Sequence, residues 1–137
     1  MKTSLLSKLT ILSLIAIMIV ACKENKPHFT IEGKISKADT TMLYLERRNL
    51  NNTEIIDSIK LDTDGNFKFT PKSIDHSEFY LLRLNGQTIN LAIDSTETII
   101  VNAPKETFAI DYTVEGSKSS SEIKNVVMLQ SKLSKSL

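Results

Sequence analysis

One residue in this chain of 137 carries a thiol, Cys22, and it follows directly on an apolar run from Leu9 to Val20. A cysteine can attack as a thiolate, ligate a metal, pair with a second thiol or carry a modification, and with no second cysteine present the pairing is closed to this polypeptide alone. The other groups able to do chemistry are sparse. His28 and His76 are the only imidazoles, and His76 has Asp75 and Glu78 beside it. Neighbours so close along a loop are poorly aimed at one metal ion, and no third ligand is fixed nearby, so solvated loop residues are expected. Asp62-Thr63-Asp64-Gly65-Asn66 is superficially like the opening of a calcium loop. Its glycine comes too early, and no glutamate follows at the required distance, so a turn is expected there instead. No serine lies in a Gly-x-Ser-x-Gly elbow and the glycines are scattered singly, which leaves neither a hydrolase nucleophile nor a phosphate-cradling loop. Asp57 is the one charge on an otherwise apolar strand parity, and an edge-strand position or a structural hydrogen bond is expected to explain it ahead of a ligand contact. Catalytic, cofactor and metal residues are therefore all expected to be absent.

The setting of Cys22 explains its chemistry. Lys2 and Lys8, an apolar core too short to span a bilayer, and small Ala21 make the three-part build of an export signal. Ile19-Val20-Ala21-Cys22 resembles the lipobox of bacterial lipoproteins, in which the cysteine sulfur receives diacylglycerol and, after cleavage, becomes the acylated first residue. The rival is an ordinary secretory signal with a chance cysteine after the cut. On the lipoprotein expectation residues 1–21 are removed, Cys22 is lipidated, no free thiol remains, and the membrane is the first partner.

Composition bounds the rest. Losing Lys2 and Lys8 from 17 basic residues against 16 acidic ones leaves a body close to neutral, with no basic face to grip nucleic acid. Residues 22–137 suffice for one modest domain. No second apolar run reaches spanning length, so attachment is expected to come from the acyl chains, which together anchor stably where a single chain is marginal. Residues 22–27 read as a polar tether ending at Pro27. Their charge resembles the surface-export signals of Bacteroidota lipoproteins but is less acidic, so a periplasm-facing placement on the inner or outer membrane is expected, with surface exposure as the alternative.

From His28 the hydrophobic period is two. Phe29, Ile31, Gly33 and Ile35 share a parity; Met42 to Leu45 are apolar on both faces, as an inner strand is; and Ile55, Ile59 and Leu61 are expected to point one way. Asp64-Gly65 and Asn85-Gly86 predict hairpins, the second between strands Glu78–Leu84 and Thr88–Asp94. Thr98–Asn102 and Thr107–Glu115 close the series, the latter because Phe108, Ile110, Tyr112 and Val114 alternate. About eight short strands separated by turn residues predict a mainly β fold, an antiparallel β-sandwich over residues 28–116.

Residues 117–137 then change period. Ser119 with Glu122 three residues on predicts a helix start, and Ile123, Val126, Val127, Gln130 and Leu133 form a stripe at helical spacing that runs out without a cap. Such a stripe needs a cover: the sheet, a partner chain or a further domain. A protein partner is expected on Ile123, Val126, Val127 and Leu133.

Together, the lipobox, Phe29-Thr30-Ile31-Glu32-Gly33-Lys34-Ile35, Leu43-Tyr44-Leu45, Asp64-Gly65-Asn66-Phe67-Lys68-Phe69 and Phe79-Tyr80-Leu81-Leu82 resemble a β-sandwich domain of unknown function. That domain precedes the thioredoxin domain of TlpA-like and AhpC-like lipoproteins of the Bacteroidota. The resemblance implies a helical linker after the sandwich and, in the larger proteins, a Cys-x-x-Cys pair for thiol-disulfide exchange, a motif this sequence does not contain. Three functions stay open: a lipid-anchored, non-catalytic envelope module on a thiol-disulfide system; the amino end of such an oxidoreductase with its cysteines beyond Leu137, which the uncapped helix favours; or a stand-alone ligand-binding or adhesin-like lipoprotein. Asp39-Thr40-Thr41 and Asp94-Ser95-Thr96 also resemble the O-glycan acceptor motif of exported Bacteroidota proteins.

Overall fold

A computed structural model of the chain describes residues 28–72, 76–94 and 96–137. Signal, lipobox and tether lie outside them, as do Asp75 and Ser95. Among the described residues eight strands and one helix follow in order: β1 Thr30–Ser36, β2 Met42–Arg48, β3 Thr53–Lys60, β4 Asn66–Phe69, β5 Glu78–Leu84, β6 Gln87–Ile93, β7 Thr98–Pro104, β8 Thr113–Glu115 and α1 Lys118–Lys135. They form two four-stranded sheets, β4-β1-β7-β8 and β3-β2-β5-β6. Alternation puts Ile31, Ile35, Ile99, Val101, Phe67 and Phe69 of the first sheet inward, against Leu43, Leu45, Leu82, Leu84, Ile89 and Leu91 of the second. Each such fully buried side chain contributes about 1.5–3 kcal/mol relative to exposure.

Pairing is antiparallel except between β1 and β7, which run parallel with Ile31 opposite Ile99 and Gly33 opposite Val101. Parity fixes which face each strand buries but not its direction, so the expected antiparallel sandwich is corrected at this one pair. Gly33 adopts φ 157, and a Cβ there would sit 1.7 Å from the Val101 carbonyl oxygen, so the close approach of the two strands needs glycine.

Asn85-Gly86 makes the predicted hairpin: Leu84 faces Gln87 across a two-residue loop whose φ angles, 47 and 77, are both positive. Asp64-Gly65 does not. β3 pairs with β2 whereas β4 pairs with β1, so this turn carries the chain from one sheet to the other. Asp62 Oδ1 accepts from the Asp64 and Gly65 amides, both at 3.0 Å, which makes the calcium-like sequence a side-chain-closed turn. Gly65 has φ 71 and lies against Ile35, whose amide donates to the Gly65 carbonyl at 2.9 Å.

Two further expectations are corrected. In β3 the register slips between Leu45, opposite Asp57, and Glu46, opposite Ile55. This bulge turns Ile56 onto the core and leaves Ile55 exposed, so Ile55 does not share a face with Ile59. The segment Thr107–Glu115 is a strand only from Thr113. The Ile110 and Asp111 amides both donate to the Thr107 carbonyl, a single helical turn that buries Phe108 and Tyr112 and leaves Ile110 out. Residues four apart share a face in either geometry, so alternation by itself was ambiguous. Gln87 holds the turn in place, donating to the Lys105 carbonyl at 3.0 Å and accepting from the Ala109 amide at 3.3 Å.

Candidate interaction surface

Helix α1 packs on β6 and β8, one edge strand of each sheet, and so closes one flank of the sandwich. Its start is set by Ser117, not Ser119. Ser117 is extended (φ −140, ψ 120) and its Oγ accepts from the Ser120 amide, the N-cap arrangement that satisfies an orphan donor. The same hydroxyl donates to the Ala92 carbonyl at 3.2 Å. Ser120, fully buried, donates to that carbonyl at 2.9 Å and accepts from the Ala92 amide at 3.2 Å. At Ala92 the Ser120 hydroxyl, with Ser117 on the same carbonyl, thus takes the place of a neighbouring strand's backbone groups.

Farther along, Lys124 lies with its Nζ 4.0 Å from the Tyr112 ring centre and donates to the Ile110 carbonyl, tying the helix to the turn before β8. Burial pulls the Lys124 pKa below its ordinary value, with nearby Asp111 opposing, and burial pushes the Tyr112 phenol up. Val127 packs on the core, with Ile123 half-buried on the same side. The opposite side is bare: Val126, Leu129 and Leu133 are 54%, 60% and 57% exposed. At about 100° per residue these three fall within an arc of about 60°. The predicted stripe is therefore two faces. Ile123 and Val127 are docked, and Val126 and Leu133 face outward. Leu129, unmarked by the sequence reading, lies between those two outward residues. Nor is the helix end uncapped: the Ser136 amide and hydroxyl both meet the Leu133 carbonyl. Ser117, Ser120 and Ala92 went unrecognised as well; the run Ser-Lys-Ser-Ser-Ser was the available signal.

The remaining candidates have structural occupations. Asp57 sits on edge strand β3, exposed, accepting from the Ser58 amide at 2.8 Å. His76 is exposed with Nε2 3.1 Å from Glu78, whose other oxygen is 3.8 Å from Arg47. Arg47 also bonds Glu54 at 2.7 Å, and that bond raises its pKa further. Arg83 joins Glu46 at 2.7 Å and stacks over Tyr44. An open cleft of about 960 Å³ lies at the β2–β3 turn beside Arg48, Asn49, His76 and Phe79. Thr40 is exposed at φ 63, while Thr41 is buried. Among the described residues no three His, Cys, Asp or Glu side chains converge on a metal position, and no helix is long and apolar enough to cross a membrane. Cys22 lies outside the described residues.

Residues 29–123, the sandwich and the docked first turns of α1, match a family described as Domain of unknown function (DUF4369). The chain belongs to that family. The match takes in Ser117, Ser120 and Ala92, so the helix start lies within the domain as the family delimits it. No curated protein matches the chain. Among solved structures, an (S)-allantoin synthase crystal structure is similar at 10% identity and a TM-score of 0.41, over 68% of this chain and 45% of that one. The chain spans under half of that structure's length, and a likeness this distant carries nothing over.

Proposed function

We propose that this protein is a lipid-anchored, non-catalytic β-sandwich of the bacterial envelope, held to the membrane through acylated Cys22, that works as a spacer and interaction module for a thiol-disulfide system. One observation carries the interaction role. α1 is fixed to the sheet edge by one face and presents Val126, Leu129 and Leu133 to solvent on the other, a preformed apolar ridge on a rigid support. The link to thiol-disulfide exchange is supported by the resemblance of the sequence to the amino-terminal domain of TlpA-like lipoproteins. Anchoring is supported by the lipobox sequence.

The intact mass of protein recovered from cell envelopes tests the anchor: loss of residues 1–21 with acyl chains on Cys22 is expected, and Cys22→Ser should move the protein to the soluble fraction. An unmodified, titratable Cys22 overturns the proposal. Insulin reduction by this chain should be nil. The oxidoreductase alternative is decided by whether the reading frame continues past Leu137 into a Cys-x-x-Cys.

A further inference from the structure

We infer that the end of the sandwich at the β2–β3 turn is a membrane-contact surface, with Leu50 at the tip of that turn and Phe79 beside it seated among the headgroups of the bilayer that holds Cys22. The inference rests on the reading of Cys22 as acylated. It adds which end of the domain the membrane meets and through which residues.

The turn carries a side chain the fold does not use. Asn49 and Asn52 close it twice, the Asn49 amide donating to the Asn52 carbonyl at 2.9 Å and the Asn49 side chain to Asn52 Oδ1 at 3.2 Å. Asparagine suits such a turn, whereas Leu50 between them is fully exposed and adds nothing to the core. Phe79, 59% exposed, stands opposite Arg48 across the β2–β5 pair, and Ile55, 57% exposed, lies on the same outer face opposite Glu46. Exposed Arg48 lines one open cleft with Leu50 and Phe79. A guanidinium whose stem runs beside apolar side chains suits the phosphate level of a headgroup layer. Exposed apolar groups rimmed by polar ones mark contacts with proteins or membranes.

The tether decides for the membrane. The chain enters β1 at this same end: the Phe29 ring lies 4.8 Å from that of Tyr80, the neighbour of Phe79, and His28 bridges to Lys72, which lines a cavity with Arg47 and Tyr80. The covalent chain from Cys22 to His28 reaches at most about 20–22 Å. With acylated Cys22 at the hydrocarbon boundary and a headgroup layer of about 5–8 Å above it, the His28 end stays within about 15 Å of the membrane surface. Contact is then intramolecular, at effective concentrations of order mM, so a few apolar side chains suffice. The opposite end, about 20 Å away along β1 and β7, presents the polar turns Asp62-Thr63-Asp64-Gly65, Asn85-Gly86 and Lys105-Glu106. Carboxylates share the near end, where Glu54 and Glu78 are tied to Arg47 and Asp94 accepts from Ser77. With both signs present, apolar insertion carries the contact, and zwitterionic headgroups, which offer phosphate and ammonium together, match it.

The test uses the full chain recovered with its acyl chains and reconstituted into vesicles of phosphatidylcholine and phosphatidylethanolamine, with or without bromine on the lipid acyl chains. Acylated Cys22 takes no thiol reagent, so a bimane label reports only an added cysteine. Bimane on Leu50→Cys should be strongly quenched by brominated lipid, and bimane on Glu106→Cys, exposed at the far end, should not. Bimane on exposed Asn51→Cys should also be quenched, and Leu50→Asp with Phe79→Asp should abolish that quenching while the protein still floats with the vesicles. All these side chains are exposed or half-exposed, and circular dichroism matching wild type confirms the fold. An acylated, floating chain with no quenching at position 50, with equal quenching at 50 and 106, or with quenching at 51 that survives both aspartates overturns the surface and gives the rim to a soluble partner. A chain that lacks acyl mass and does not float removes the anchor and this surface with it, and the intact mass of the same sample tells that failure from the others.

Discussion

Ser120 Oγ stands between the amide and the carbonyl of Ala92, 3.2 Å from one and 2.9 Å from the other, and with the Ser117 hydroxyl on the same carbonyl caps the edge of β6 at this residue. An exposed strand edge is a template for pairing with other chains, and here a helix start covers it. Ser120→Ala leaves the half-buried Ala92 amide without this acceptor. A loss of about 1–3 kcal/mol is expected, measured by urea unfolding, together with faster amide exchange at Ala92 and through the first turns of α1. Unchanged exchange at Ala92 would show that the hydroxyl is dispensable.

The opposite edge is guarded differently. Asp57 is opposite Leu45, on the parity that faces the core, yet it remains solvated because β3 is an outer strand next to a bulge. A charge so placed opposes the docking of a further strand. Asp57→Val should leave the melting temperature within a few degrees of wild type, while light scattering shows concentration-dependent association absent from the parent. A variant that stays monodisperse removes the guarding role.

Gly65 joins the two sheets. Its φ of 71 and the 2.0 Å that would separate an added Cβ from the Ile35 carbonyl oxygen forbid a side chain without backbone movement. Gly65→Ala should cost about 3 kcal/mol or more, in the range reserved for backbone strain and steric conflict. Gly86→Ala, with nothing within 4 Å of the added carbon, serves as the control and should cost distinctly less. Equal losses in the two variants would refute the account.

Tyr112 gives a pH dependence with a definite sign. Its hydroxyl is buried with no hydrogen-bond partner among the described residues, and burial raises its pKa above the ordinary 10.0. The unfolded chain therefore releases this proton first. The contribution is fully present below pH 10.0 and is lost as pH rises from there toward the folded value; buried Tyr80 acts in the same sense. Lys124, whose pKa is lowered, acts oppositely as pH rises toward 10.5. Tyr112→Phe removes an unsatisfied hydroxyl and should be neutral or stabilising by up to about 1 kcal/mol at pH 7, with a shallower stability loss above pH 10.0 in alkaline denaturant titrations. A variant clearly less stable at pH 7 would mean that the hydroxyl is partnered.

What local chemistry fixes was legible in the residues alone. Strand faces such as Tyr80, Leu82 and Leu84 followed from period two, the Asn85-Gly86 hairpin from the positive φ its turn demands, and the helix after Gly116 from a change of period. The lipobox proposal, too, stands on the sequence, since Cys22 lies outside the described residues. Tertiary structure decided whatever depends on contacts between segments distant along the chain. The parallel run of β1 beside β7, the passage of the Asp62–Gly65 turn between sheets, the helical turn at Phe108 and the division of α1 into a docked and a bare face all belong there. Periodicity says which side of an element is apolar. It does not say which neighbour, in which direction, comes to cover that side, and for Ser120 and Ala92, 28 residues apart, only folding brings the answer.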